Sequence, residues 1–296
     1  YLNPISKVLT KDYDNRLLNE SCGRYLSNSS GTLVHWKEPN KLTWTTLKNF
    51  NNNIDRALGR KFRYFINDNN VKIRLIAFED NGHSLSEKLD YRKKIKAFDP
   101  MFLMENTITA DASYGGNFSP PGVTSVEYVE EIPKLIIEER EVDGEKKTFE
   151  HKFRLKFSHV KKEVRTYFDN LGKSAGSEDL GKLYKYRQHS SHSGRKVYPI
   201  VSILRSNREI DANNYGMIKL ATGGGIDEMN RWVSVELHID TAISDSIFEI
   251  DQKKQNAKLY TDIEKKKISN FKLKVHHEIS HLIKNNIDQM RKIIRT

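Results

Sequence analysis

Ser202-Ile203-Leu204-Arg205-Ser206-Asn207-Arg208-Glu209-Ile210 is the stretch whose reading decides the fold. Branched and long apolar residues give way to Ser and Asn, whose side chains bond their own backbone and favour turns, so a strand tightens into a polar turn and leaves on an arginine. Further on, Asp251-Gln252-Lys253-Lys254-Gln255 sets a lysine pair in a short, amide-rich basic loop.

Around that stretch, residues 197–210 and 232–239 read as strands, and 240–248 as a short helix. Residues 127–142 and 149–160 read as two strands joined across Asp143-Gly144, a strong hairpin signal. Nearer the start, Ser30-Gly31-Thr32-Leu33-Val34-His35-Trp36 alternates as a strand, and 71–78 reads as another. Between them Leu47, Phe50, Ile54, Leu58, Phe62 and Phe65 recur at three- and four-residue intervals, which predicts an amphipathic helix over 43–65. Residues 98–122 are loop-rich, and 170–196 form a polar surface loop. From about Ile268 a long helix carries Val275, Ile279, Leu282, Met290 and Ile293 on one stripe. No internal repeat is visible.

Composition bounds what this chain can be. Its 296 residues carry 37% hydrophobic and 30% charged residues at a mean hydropathy of -0.69, a polar globular protein long enough for one large or two ordinary domains. No apolar run approaches a membrane span, and Tyr1-Leu2-Asn3-Pro4 begins no signal peptide, so a cytoplasmic location with no membrane partner is expected. The single Cys22 excludes an internal disulfide framework and a multi-cysteine zinc site. The formal charge is +11, and residues 252–296 hold 12 Lys and Arg against 4 Asp and Glu. That basic tail, with Lys265, Lys266, Lys267, Arg291, Lys292 and Arg295, is a candidate for nucleic acid through phosphate contacts; otherwise it is a solvated helix face.

Two short motifs compete for chemistry. His277-Glu278-Ile279-Ser280-His281 fits the HExxH pattern, in which i and i+4 imidazoles on one helix face bind zinc and the Glu acts as base. The fifteen residues after His281 contain no His or Glu, and Asp288 lies on the same helix, so no metal is expected at His277 and His281. A zinc metalloprotease stays as an alternative, beside an exposed polar face that happens to hold three histidines. Gly176-Ser177-Glu178-Asp179-Leu180-Gly181-Lys182-Leu183 almost spells a phosphate-binding loop, but Leu183 replaces the magnesium-binding hydroxyl and two acids sit where amides should meet phosphate.

A third pattern runs through the chain in order. Gly31-Thr32, Gly59-Arg60-Lys61-Phe62-Arg63-Tyr64-Phe65-Ile66-Asn67, Lys72 to Asp80, Phe98-Asp99-Pro100-Met101-Phe102-Leu103-Met104, the 197–210 strand, Arg231-Trp232, Asp251 to Gln255 and Ile287 to Arg291 together resemble a family of bacterial GHKL-type ATP-binding proteins, the class of gyrase B, Hsp90, histidine kinases and MutL. The resemblance implies an α/β (α+β) chain with a mixed sheet and helices on one face, a transducer of the ribosomal-S5-domain-2-like kind, and a C-terminal basic helix. It implies three parts: 1–44 as the end of a nucleotide-binding domain, 45–260 as the transducer, and 261–296 as a basic helical linker.

The implied function is to couple ATP and magnesium, bound in a missing N-terminal domain, to homodimerisation and an effector or nucleic acid. Gly31 and Thr32 would lie near the nucleotide. Lys254, with Lys253 and Gln255, would sense the terminal phosphate, because an ammonium from a second domain neutralises charge there. The Glu-and-Asn helix, the Asp-x-Gly-x-Gly box and the glycine-rich lid of such ATPases are absent from the 296 residues. The chain is therefore expected to hydrolyse no ATP unaided and to hold no cofactor of its own. A nucleic-acid-binding module using the basic tail is the rival reading.

Overall fold

The structure is a computed structural model describing residues 46–68, 70–80, 85–88, 92–104, 107, 126–163, 166, 189–190, 196–197, 201–216, 232–240, 242–250, 256–261 and 270–295. Helix α1 (Leu47–Lys61) is followed by a one-turn helix α2 (Arg63–Asn67). Then come the short strands β1 (Arg74–Leu75), β2 (Phe78–Asp80), β3 (Leu85–Glu87) and β4 (Lys93–Lys94), and the long strands β5 (Val126–Val142) and β6 (Glu145–Val160). After β7 (His189–Ser190) and β8 (Lys196–Val197) follow β9 (Val201–Arg205), β10 (Arg208–Asn213) and β11 (Val233–Ile239), a 3₁₀ turn at Ala242–Ser246, and helix α3 (Phe271–Arg295).

The chain divides into two compact units, Tyr1–Asp55 with Lys72–Ile95, and Arg56–Val71 with Lys96–Thr296. In the first, β1 pairs with β4 and β2 with β3, both antiparallel, and the Lys93 ammonium meets the buried Asp55 carboxylate. The second holds the five-stranded sheet, in the order β10-β9-β11-β6-β5, with β11 parallel to β9 and all other neighbours antiparallel. A mixed sheet with a C-terminal helix is the expected class.

Several boundaries differ from the sequence reading. The second strand of the long hairpin starts at Glu145 rather than 149, because Asp143 (φ 57°) and Gly144 (φ 79°) form a two-residue turn that starts pairing at once, Val142 opposite Glu145. The 197–210 strand is a hairpin: Ser206 (φ 50°) and Asn207 (φ 61°) turn between β9 and β10. The 71–78 strand is two short strands, and the 43–65 helix breaks at Phe62.

Alternation along the strands makes two faces. On one, Phe153, Leu155 and Phe157 of β6, Val233, Val235, Leu237 and Ile239 of β11, and Val201 and Ile203 of β9 are buried under α3. The helix presents Val275, Ile279, Ile283, Ile287 and Met290 to them and lies within the unit that carries the sheet. The stripe runs in steps of four through Ile283 and Ile287, which the sequence reading passed over, while Ile293 is 39% exposed and Leu282 half-buried. His276 is fully buried, so the three histidines do not share an exposed face.

Candidate functional site

The second face of the sheet is polar, and it is closed at Ser158, Ser202, Glu236 and His238. Ser234 opposes Ser158, and Glu236 lies between Lys156 and Ser202 in the registers of β11 with β6 and β9. In β10 Glu209 pairs with Leu204, in phase with Ser202, and so faces this side, while Ile210, at a register shift between Glu209 and Asp211, stays in the apolar core. Over these acids stand the last turn of α1 and the start of α2.

Arg60 Nε donates to both Glu209 carboxylate oxygens, at 2.8 and 3.0 Å, and Arg60 Nη2 to Ser202 Oγ at 3.0 Å. Arg63 donates from Nη1 to Glu209 Oε2 at 2.8 Å and to the Arg60 carbonyl at 2.8 Å, and from Nη2 to Glu236 Oε1 at 2.6 Å. The remaining Glu236 oxygen accepts the Tyr64 hydroxyl at 2.5 Å and pairs with His238 Nε2 at 2.8 Å. Arg63 and Glu236 are fully buried, and two guanidiniums face two carboxylates, so the group is neutral and its acceptors are used. Burial by itself would raise Glu236, but Arg63, His238 and Tyr64 outweigh it and hold the carboxyl well below the usual range. Arg60 and Arg63 hold Glu209 down in the same way against its burial. Arg63 is raised: burial opposes its charge, and Glu236 and Glu209 more than offset that.

The loop around Asp99 completes this face. The Asp99 carboxylate accepts from the backbone N–H groups of Met101, Leu103 and Met104 at 2.9, 2.6 and 2.8 Å, which folds the loop and lets Phe102 adopt φ 58°. Ser158 Oγ then donates to the Met101 carbonyl and Ser234 Oγ to that of Pro100, fastening the loop to the sheet. Burial and the nearby Glu236 raise Asp99 above its ordinary range. Arg60, Arg63, Tyr64, Asp99 and Glu209 all lie in the segments quoted for the family resemblance. Sequence reading set the segments in order without seeing that they converge.

The flanks of the basic loop are fixed on the opposite, apolar side. Lys258 N–H donates to the Phe248 carbonyl at 2.7 Å. His276 of α3 bridges the two flanks: its Nε2 bonds the Ile247 carbonyl at 2.8 Å, and its Nδ1 accepts Tyr260 N–H at 3.4 Å. Glu249 (φ 49°) gathers Lys258 at 2.6 Å, the Tyr260 hydroxyl at 3.0 Å and the Lys272 ammonium, and these partners hold its carboxyl at about 2. Burial pushes His276 down to about 4, so it is neutral.

Lys253, Lys254 and Gln255 themselves, like Gly31, Thr32, Lys265, Lys266 and Lys267, lie outside the described residues. On α3, Arg291 is half-buried with Asp288 at 4.0 Å, and Lys292 is exposed; the side chain of Arg295 is outside the description. His277 and His281 stack at 6.2 Å between ring centroids beside a groove of ≈ 290 Å³ that Lys134, Glu278 and Leu282 also line. Lys134 Nζ holds the Glu278 carboxylate at 3.1 Å, which occupies the group a metalloprotease would use as base. Among the described residues no three His, Cys, Asp or Glu side chains are grouped to hold a metal ion, and no described helix is long and apolar enough to cross a membrane. No family model, curated protein or solved structure matches the chain.

Proposed function

We propose that this chain is the transducer part of a GHKL-type ATPase. It couples ATP and magnesium bound by a preceding domain to homodimerisation and to an effector or nucleic acid. The observation that carries the reading is the fastening of both flanks of the 251–255 loop to α3, through His276 and the Glu249 cluster. The described flanks on either side of Lys253 and Lys254 are thereby tied to the helix under the sheet, so a displacement of those flanks is shared with α3. Within the unit that carries the sheet, the last turn of α1 holds Arg60, which Glu209 anchors.

The test uses the full-length protein. Lys254→Ala and Lys253→Ala should each be assayed for ATP hydrolysis and for ATP-dependent dimerisation, and the lysine that meets phosphate should lose on the order of tenfold or more in rate. Isothermal titration of the 296-residue chain with ATP and magnesium should detect no tight site. Sub-micromolar binding by this chain alone, or full activity in the double lysine variant, overturns the reading.

A further inference from the structure

The long hairpin carries a surface that the nucleotide-coupling reading does not use. Strand β5 ends the five-stranded order, so among the described residues no strand pairs with its outer edge. Its partner β6 meets β11 only from Phe153 to His159, so Leu135–Val142 and Glu145–Lys152 extend past Ile239 as a two-stranded arm. Two strands alone are marginal in water.

One face of the arm is packed. Ile136 is 8% exposed, and His151 is buried, bonded to Ser244 and Glu138 and set against Phe271. The other face is bare where it is most apolar: Leu135 is 51% and Ile137 56% exposed. A long edge strand with an exposed apolar pair is the pattern that proteins blunt or cover.

The backbone restricts what can cover it. Val142 and Glu145 close the two-residue turn as a hydrogen-bonded pair, so the even-numbered residues of β5 bond to β6 and the odd-numbered ones turn their N–H and C=O outward. Pro133 is odd, so its missing N–H costs the β6 ladder nothing and instead removes one donor from the outer edge. A second β5 strand adding antiparallel must therefore set odd residues opposite odd. Centred on Ile136, such pairing places Leu135 against Ile137 of the second copy and Lys134 against Glu138. Glu131 falls opposite Glu141, but Arg154 and Lys156 already stand 3.4 and 3.6 Å from Glu131. Centring on Ile137 instead sets Lys134 against Arg140, and centring on Leu135 leaves Ile137 facing Pro133. The Ile136 register alone joins both exposed apolar residues and both opposite charges.

We infer that the outer edge of β5 is the docking surface for a second copy of this chain, paired antiparallel about Ile136 into a continuous ten-stranded sheet. Lys134 and Glu138 already meet Glu278 and His151 within each copy, so the contact would gather four polar groups on the α3 side, with Leu135 and Ile137 meeting on the other. The surface requires no nucleotide, which separates its failure from that of the transducer reading.

The test uses the full chain with Cys22→Ser. Leu135→Cys and Ile137→Cys variants, mixed and oxidised, should cross-link to each other in preference to themselves, since a hydrogen-bonded antiparallel pair sets Cα atoms about 5.5 Å apart. Leu135→Asp/Ile137→Asp should melt like the parent at concentrations where both are monomeric, because both residues are exposed in the single chain, and should raise the dimer dissociation constant on the order of tenfold or more by sedimentation. A parent chain that stays monomeric up to ~100 µM overturns the proposal, as does a dimer indifferent to the aspartates. Cross-linking as efficient in either single variant as in the mixture overturns the register.

Discussion

Under α3 the central sheet is closed by Phe153, Leu155, Phe157, Leu237, Ile239 and Ile203 without a charge among them, whereas one residue out of phase on the same strands Ser158, Ser202, Glu236 and His238 close the other face. Both faces are dry, yet they are held differently. The first gains from each apolar group roughly in proportion to its area and tolerates repacking. The second is neutral only while Arg60, Arg63, Glu209 and Glu236 are all present and aimed, so it constrains geometry more than it adds stability. Apolar contact fixes that α3 packs; the buried charges fix where the Gly59–Asn67 and Phe98–Met104 segments must sit.

The largest expected effect comes from breaking the charged face. Arg63→Met leaves Glu236 and Glu209 short of a guanidinium in a dry site and should cost about 3–5 kcal/mol in urea unfolding. Adding Glu236→Gln should recover a large part of that loss, because the amide still bonds Tyr64 and His238 without an uncompensated charge. A single variant within about 1 kcal/mol of the parent would mean that water reaches this face and that the contrast with the apolar one is unfounded.

How far the sequence foretold each face follows the same division. Alternation from 232 to 239 and the four-residue spacing along α3 are local signals, so β11, the long hairpin and the helix were legible, with errors of a few residues at the ends. The charged face was not, because Arg60 and Glu209 are 149 residues apart and nothing local marks either as buried. An arginine in an amphipathic helix reads as solvated, and a glutamate beside a polar turn reads the same way. The one indirect signal was that three of the segments resembling a known family, 59–67, 98–104 and 197–210, are among those that meet here. For the candidate phosphate sensor the sequence named the loop, and the structure adds what fastens its flanks.

On the apolar face the next effect is smaller and of another kind. Ile279 is fully buried between α3 and the sheet, and Ile279→Ala should cost about 2–5 kcal/mol, set by how far the site collapses. Ile279→Val should cost about 0.5–1.5 kcal/mol, a graded response that the charged face should not give. If truncating Ile279 in steps gave an all-or-none loss like that of Arg63→Met, the two faces would not differ as described.

His276 belongs to the apolar face yet titrates, and it gives the smallest and most condition-dependent effect. Its Nε2 hydrogen is donated to the Ile247 carbonyl, so Nδ1 is the lone-pair nitrogen that Tyr260 N–H approaches; protonating it breaks that contact inside a site lined by Phe248 and Tyr260. Burial is the main reason its pKa falls to about 4; Lys272 lowers it further, while the Ile247 bond and Glu249 pull it up. At pH 7 both the folded and the unfolded chain are neutral here and the full stability is present. As pH falls below the usual value of 6.5 the unfolded chain takes up the proton first, so stability is lost until the folded state also protonates near 4. Between pH 7 and 5 this residue should account for a loss of about 2 kcal/mol. His276→Gln should be less stable at pH 7 but lose less over that interval, measured by urea unfolding of both proteins. An unchanged slope in the variant would mean that His276 is open to water, and with it that the flanks of the 251–255 loop are not fastened to α3 through a dry contact.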